Sequence, residues 1–134
     1  MIKKMFIICT LILCGGAAFL QTTQQPRIVA GKKVYTKNCL SCHLANGAGI
    51  PGLNPPLIDT DWVLGDKIRL INIVLKGLEG AIEVKGEVYD NAMPALEYLS
   101  DQEIADVLSY VRNAFGNKAS FIEPSEVKAI RAKK

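Results

Sequence analysis

Five consecutive residues constrain the fold of this chain more than any other feature: Cys39-Leu40-Ser41-Cys42-His43, the pattern C-x-x-C-H. Two thiols at this spacing can each form a thioether with one vinyl group of the same porphyrin. The imidazole that follows Cys42 then lies beside a covalent anchor, where it can bind the iron as an axial ligand. The motif therefore predicts one covalently attached haem c and a fold that wraps around it.

The same cysteine pair also fits two other kinds of site. A structural zinc site usually has four Cys or His ligands, whereas the chain after residue 20 offers only Cys39, Cys42 and His43. A thioredoxin-like motif is expected beside a βαβ unit, and the hydrophobic pattern shows none. Ligand count and pattern therefore favour haem.

Length and charge restrict the class of protein further. The chain has 134 residues, which is long enough for one domain with a modest core. Its formal net charge is only +3. Its basic residues cluster only between Lys128 and Lys134, which we expect to be a solvated tail. A nucleic-acid-binding protein would carry a clustered basic face, so we expect no nucleic-acid partner.

Residues 1–20 resemble an export signal, because Lys3 and Lys4 precede an apolar run and small residues allow cleavage after Ala18. Two alternatives stay open. One is an uncleaved anchor, although the apolar run is shorter than the ~20 residues of a spanning helix. The other is lipidation at Cys14. All three predict a domain in the periplasm or at the outer face of the cytoplasmic membrane, which the chain contacts only through a possible N-terminal anchor.

The rest of the chain is predicted to be one domain with polar ends. We expect residues 21–26 to form a disordered linker, residues 27–118 to form the domain, and residues 119–134 to form a C-terminal tail with a short helix from Pro124. Residues 82–89 alternate like a small hairpin about Lys85-Gly86.

The first helix is predicted to begin at Pro26, which suits the first helical position, and to end near Asn38. Gly31, Val34 and Tyr35 share one face with Asn38. A glycine in mid-helix costs about 1 kcal/mol relative to alanine. We therefore expect another helix to cross closely at Gly31.

Two further helices carry capping signals. Asp66 is expected to cap a helix over residues 67–76. Ser100 and Glu103 form an S-x-x-E capping box that starts the last helix, which is expected to end near Gly116. The buried face of the first of these two helices is predicted to consist of Ile68, Ile71, Val74 and Leu75.

Met93 is the candidate for the second axial position of the iron. It is the only methionine after the leader, and His43 is the only histidine in the chain. Thioether sulfur commonly accompanies histidine in electron-transfer haems, and Pro94 biases Met93 towards an extended backbone. A gap-filling core methionine is the alternative. Similarly, Trp62 is either a plain core residue or an indole whose N–H reaches a haem propionate.

Together these features resemble the class I cytochrome c family. The resemblance covers about residues 31–117 and is carried by Gly31, Tyr35, the C-x-x-C-H motif, Pro55-x-Leu57, Met93-Pro94, Val107 and Tyr110. The longer pattern is similar to small cytochrome domains that accompany periplasmic quinoprotein dehydrogenases, copper nitrite reductases or terminal oxidases. The predicted hairpin departs from the mitochondrial-type members.

The resemblance implies an all-α fold of four to five helices around one haem, with the small hairpin as an insertion. It implies that the first and last helices cross at Gly31, that the Pro55 carbonyl accepts a hydrogen bond from His43 Nδ1, and that Leu57 packs on the haem. The expected cofactor-binding residues are Cys39, Cys42, His43, Pro55, Leu57 and Met93, of which His43 and Met93 bind the metal.

The leading functional prediction is a one-electron carrier that is not itself an enzyme and that serves redox partner proteins such as a dehydrogenase, reductase or oxidase. The alternative is a haem subunit of an enzyme, or a ligand sensor, in which a small molecule displaces Met93. No acid–base cluster accompanies the motif, because Arg69 and Arg112 are isolated in the sequence. This favours the carrier.

Overall fold

A computed structural model describes residues 15–133, and side-chain surroundings from residue 24 onwards. In this part of the chain there are six helices and one two-stranded antiparallel hairpin. Their bounds are α1 Gly15–Asn38, α2 Leu40–His43, α3 Asp61–Leu64, α4 Lys67–Lys76, β1 Ile82–Val84, β2 Glu87–Tyr89, α5 Asp101–Val111 and α6 Pro124–Arg131. The predicted helical fold with a small hairpin is confirmed.

The close helix crossing predicted at Gly31 is present. Helices α1 and α5 pack directly against each other, and the buried Gly31 faces α5. A Cβ atom at this position would clash with the backbone carbonyl of Asp106 and would lie 2.8 Å from Tyr110 Cβ. The cost of a mid-helix glycine is therefore offset by the close approach of the two backbones.

Helix α4 begins and ends as predicted, whereas α5 ends earlier. Asp66 Oδ1 accepts a hydrogen bond from the Ile68 backbone N–H at 2.7 Å, and Ser100 forms the expected capping box with Glu103. The last helix was expected to reach Gly116, and it ends at Val111.

The early end of α5 has a local cause that sequence patterns do not show. The Asn117 side-chain amide donates a hydrogen bond to the Val111 carbonyl at 2.8 Å, so the amide occupies an acceptor that a longer helix would use for its own backbone. Phe115 and Gly116 then both have positive φ, which turns the chain away from the helix axis.

The predicted buried face of α4 is partly wrong. Ile68 is 58% exposed, and Leu70 is buried in its place together with Ile71, Val74 and Leu75. Helix α4 contacts both α5 and α6. Its buried face therefore includes Leu70 and leaves Ile68, in the first turn, exposed to solvent.

The predicted disordered linker over residues 21–26 is also wrong. These residues belong to α1, which is already helical at Gly15, the first described residue, and contains Pro26 in its interior, so the predicted helix start at Pro26 is wrong as well. A proline removes one backbone hydrogen bond of a helix, but the glutamines that precede it favour the helical conformation.

The predicted leader covers residues 1–20, of which residues 1–14 lie outside the described part, so it stays a prediction. Between residues 15 and 133, no helix is long and apolar enough to cross a membrane.

The short helix predicted from Pro124 is present as α6, but residues 128–133 are not the solvated tail that their charge suggested. Ile122 and Val127 are fully buried, Ile130 is nearly so, and α6 packs against α5 and α4. Arg131 forms an ion pair with Asp101 at 2.8 Å. The composition of this segment is charged, but its apolar residues share one side of α6, and this side completes the core.

We predict that Gly31→Ala lowers the free energy of unfolding of the protein by about 1–3 kcal/mol, the usual cost of overpacking. The alanine gains about 1 kcal/mol of helix propensity, but its methyl group meets a backbone carbonyl that cannot rotate away. Guanidinium denaturation measures the change. Lys33→Ala, on the exposed side of α1, is the control and should have little effect. Equal stability of the Gly31 variant and the parent would contradict the close crossing.

Candidate functional site

The helices and loops enclose a mostly apolar cleft of about 230 Å³. All six residues predicted to bind the cofactor line this cleft: Cys39, Cys42, His43, Pro55, Leu57 and Met93. Helices α4 and α5 supply much of the apolar wall, with Leu70, Val74, Val107, Leu108 and Val111. The structure therefore brings together predicted cofactor-binding residues that are up to 54 positions apart in the chain (93 − 39).

The C-x-x-C-H segment lies at the end of α1 and continues as the single turn α2. The Cys39 backbone N–H donates to the Tyr35 carbonyl at 2.8 Å, and the His43 N–H donates to the Cys39 carbonyl at 2.9 Å. This winding places both thiols and the imidazole at one side of the cleft. No disulfide joins Cys39 and Cys42 to each other, so both sulfurs are available for thioether bonds, and burial raises the pKa of the unattached Cys39 thiol to about 11.

The ring of His43 is oriented by a backbone acceptor. Its Nδ1 lies 3.1 Å from the Pro55 carbonyl oxygen, the contact that the family resemblance implied. Burial lowers the pKa of His43, and the hydrogen bond to Pro55 opposes this shift without reversing it. The imidazole therefore favours its neutral form, which is the form that binds a metal, with Nε2 as the free nitrogen.

Met93 approaches the cleft from a different loop, and its backbone is fixed to the end of α4. The Met93 N–H donates to the Leu78 carbonyl at 2.9 Å, and the Leu78 N–H donates to the Met93 carbonyl at 3.0 Å. Gly77 allows this approach because it has a φ of +76° and because a Cβ there would meet the Met93 carbonyl at 2.5 Å. The Met93 side chain is left to line the cleft.

This donor set fits a haem c. Two thiols have the attachment spacing, an imidazole has a fixed orientation, a thioether sulfur shares the same cleft, and the surrounding walls are apolar. Residues 28–115 also match the family described as Cytochrome c. The chain belongs to the cytochrome c family. It is a class I c-type cytochrome with one covalently bound haem c.

Individual relatives agree with this assignment. The chain is 39% identical over 132 residues to a protein named cytochrome c-552 from Thermus thermophilus, covering 92% of this chain and 84% of the relative. It is 36% identical over 107 residues to the cytochrome c subunit of a quinone alcohol dehydrogenase from Gluconobacter oxydans, of which it covers 22%. It is 35% identical over 100 residues to a cbb3-type cytochrome c oxidase subunit from an Azospirillum species, of which it covers 30%.

The hairpin of this cytochrome c takes part in the site, which sequence reasoning missed. Ile82, Val84 and Tyr89 line the cleft. Trp62 also lines it, but the indole N–H donates to the Glu83 carbonyl at 3.0 Å, so Trp62 holds the hairpin. The alternation of residues 82–89 predicted the strands, but no sequence signal indicated what they cover.

Two buried polar residues of the cytochrome were also not identified from the sequence. Asn117 donates to the Leu57 carbonyl at 2.9 Å, which fixes the loop that carries Leu57. Arg112, isolated in the sequence, is 3% exposed and donates to the Val63 carbonyl at 2.6 Å. Burial lowers the pKa of Arg112. Asn117 therefore holds the loop that carries Leu57, and Arg112 holds α3.

We predict that the haem stays attached when either cysteine alone is replaced and is lost when both are. In Cys39→Ala or Cys42→Ala the remaining thioether holds the group, and acid–organic extraction followed by mass spectrometry should still show the added mass. The double variant should release its haem into the organic phase. Release of haem from the parent protein would contradict covalent attachment.

Proposed function

We propose that this cytochrome c carries single electrons between redox proteins outside the cytoplasm, with His43 and Met93 as the axial ligands of its iron. The observation that carries the proposal is that these two side chains line one cleft from separate segments, His43 from the end of α2 and Met93 from the loop after β2, and that each is fixed by a contact with the backbone. The haem supplies an iron centre that accepts and releases one electron. The chain supplies ligation, orientation and an apolar environment.

Ligation by both side chains favours a carrier over an enzyme or a ligand sensor. With both axial positions filled by protein, a small molecule can bind the iron only if it displaces Met93. The Leu78–Met93 bridge opposes such displacement because it fixes the Met93 backbone. A sulfur ligand also raises the reduction potential, which suits a carrier that accepts electrons from a dehydrogenase.

Relatives support the kind of partner, and the N-terminal sequence supports the location. Two of them are named as subunits of a quinone alcohol dehydrogenase and of a cbb3-type oxidase, so we propose a dehydrogenase, reductase or oxidase as partner. The proposal includes residues 1–20 as an export signal or N-terminal anchor, which would place the domain in the periplasm or at the outer membrane face. Residues 119–133 belong to the domain, because α6 completes its core.

The surface beside the cleft indicates how a partner would dock. Residues 54–57 and 91–94 line the cleft, and the longer segments 44–58 and 91–96 to which they belong contain no charged side chain. In the first of these segments Leu44 and Leu53 are 39% and 46% exposed. Electron-transfer encounters typically bury less than about 1,200 Å². We therefore propose a small uncharged docking patch that includes residues 50–53 and 92–96.

We predict that Met93→Ala removes the weak long-wavelength sulfur-to-iron band of the ferric protein and lowers its reduction potential, because the thioether ligand is lost. The visible spectrum and a redox titration measure both. Carbon monoxide should bind the ferrous parent poorly and the ferrous variant rapidly. An unchanged spectrum and potential would remove Met93 from the iron, and fast carbon monoxide binding by the parent would favour the sensor or enzyme alternative.

We predict that salt affects electron transfer only weakly, since screening acts on charges that the patch does not carry. Stopped-flow oxidation by an anionic and by a cationic outer-sphere reagent should give rates that change little between low and high ionic strength. Leu53→Lys should create a salt dependence, with faster oxidation by the anionic reagent at low salt. A strong salt dependence in the parent would place the contact at charged residues instead.

A further inference from the structure

Two asparagine side chains connect the opposite sides of the cleft opening. The Asn91 side-chain amide donates a hydrogen bond to Asn54 Oδ1 at 2.8 Å. Asn54 directly precedes Pro55, and Asn91 lies two residues before Met93. Within residues 15–133, this is the one hydrogen bond that directly joins segment 43–58 to segment 78–96.

Asn54 is a rigid end of this connection. Asn54 is 8% exposed, and its backbone N–H and carbonyl form two hydrogen bonds of 2.8 Å with the backbone of Ile50. Gly49 packs so closely that a Cβ there would clash with the Asn54 carbonyl. The Asn54 side chain therefore presents its oxygen from a loop that has little freedom to move.

Asn91 lies on the Met93 side of the connection, in a stretch that has few other hydrogen bonds. Beyond Met93, the loop is fixed to α4 by the hydrogen bond from the Leu96 N–H to the Val74 carbonyl at 2.9 Å. Before Met93, the exposed Asn91 leads back to the hairpin. Its amide is the group that ties this part of the loop to the side that holds His43.

We propose that Asn54 and Asn91 form a clasp that positions Met93 and resists its displacement from the iron by external ligands. This inference rests on the proposed ligation by Met93. Opening the cleft towards a small molecule requires the Met93 loop to move away from the His43 loop, and that movement breaks the amide–amide hydrogen bond. Asn54 and Asn91 are therefore positioning residues that act through Met93.

The test uses the haem-loaded full chain and imidazole, a neutral ligand that competes with a methionine sulfur for ferric iron. Imidazole is titrated into the ferric protein while the long-wavelength sulfur-to-iron band is followed. In Asn91→Ala the apparent imidazole affinity should rise about fivefold to tenfold, the equilibrium effect of one hydrogen bond. Asn46→Ala is the matched control, since Asn46 bonds only within its own loop, to the Ala48 N–H at 3.1 Å.

A second variant distinguishes a clasp from general loosening. Asn54→Ala should raise imidazole affinity by a similar factor, and the double variant should add nothing further, because both changes remove the same bond. Guanidinium unfolding is measured alongside. A lower unfolding midpoint with unchanged imidazole affinity, or factors that multiply in the double variant, would overturn the clasp.

The outcomes also separate this inference from the function on which it rests. Absence of the sulfur-to-iron band in the parent protein overturns both the ligation and the clasp. A normal parent spectrum with no response to Asn91→Ala overturns the clasp alone. Because Asn91 is exposed, its substitution leaves the core intact, and it decides the question even if Asn54→Ala does not fold.

Discussion

The direct contact between the backbones of α1 and α5 at Gly31 is the constraint on which the rest of the structure depends. A glycine lets α1 pass against the Asp106 carbonyl, and α1 ends at the residue before Cys39. The crossing therefore sets the point at which the attachment motif enters the core. Helix α5 also supplies Val107, Leu108 and Val111 to the cleft, so one helix pair both delivers the motif and builds the opposing wall.

The site itself is built from loops that rigid elements hold. The His43 ring at the end of α2 is oriented by the Pro55 carbonyl, and the loop that carries Pro55 and Leu57 is fixed by Asn117, which donates to the Leu57 carbonyl. The Met93 loop is fixed to the end of α4 through Leu78. Short uncharged loops suit electron transfer, because they can approach a flat cofactor closely. They also leave no charged side chain between the edge of the cofactor and a partner.

Several parts of the architecture could be predicted because their causes are local. Asp66 caps α4, and Ser100 with Glu103 caps α5, since each cap bonds to residues two or three positions away. Other predictions were wrong because their causes do not follow a period or a capping pattern that the sequence shows. Asn117 ends α5 earlier than Gly116, Ile68 lies outside the core, and residues 119–133 pack although their composition is that of a tail.

The sequence by itself determined the chemistry of this protein. The C-x-x-C-H spacing, a single histidine and a single methionine after the leader left few ways to hold a haem, and the helix periods and caps indicated a helical fold. Only the tertiary structure decided how the cleft is closed: Trp62 holds the hairpin, and Asn54 meets Asn91 across 37 residues of chain. Such hydrogen bonds between distant residues have no sequence period, because the folded backbone, and not the local spacing, brings their partners together.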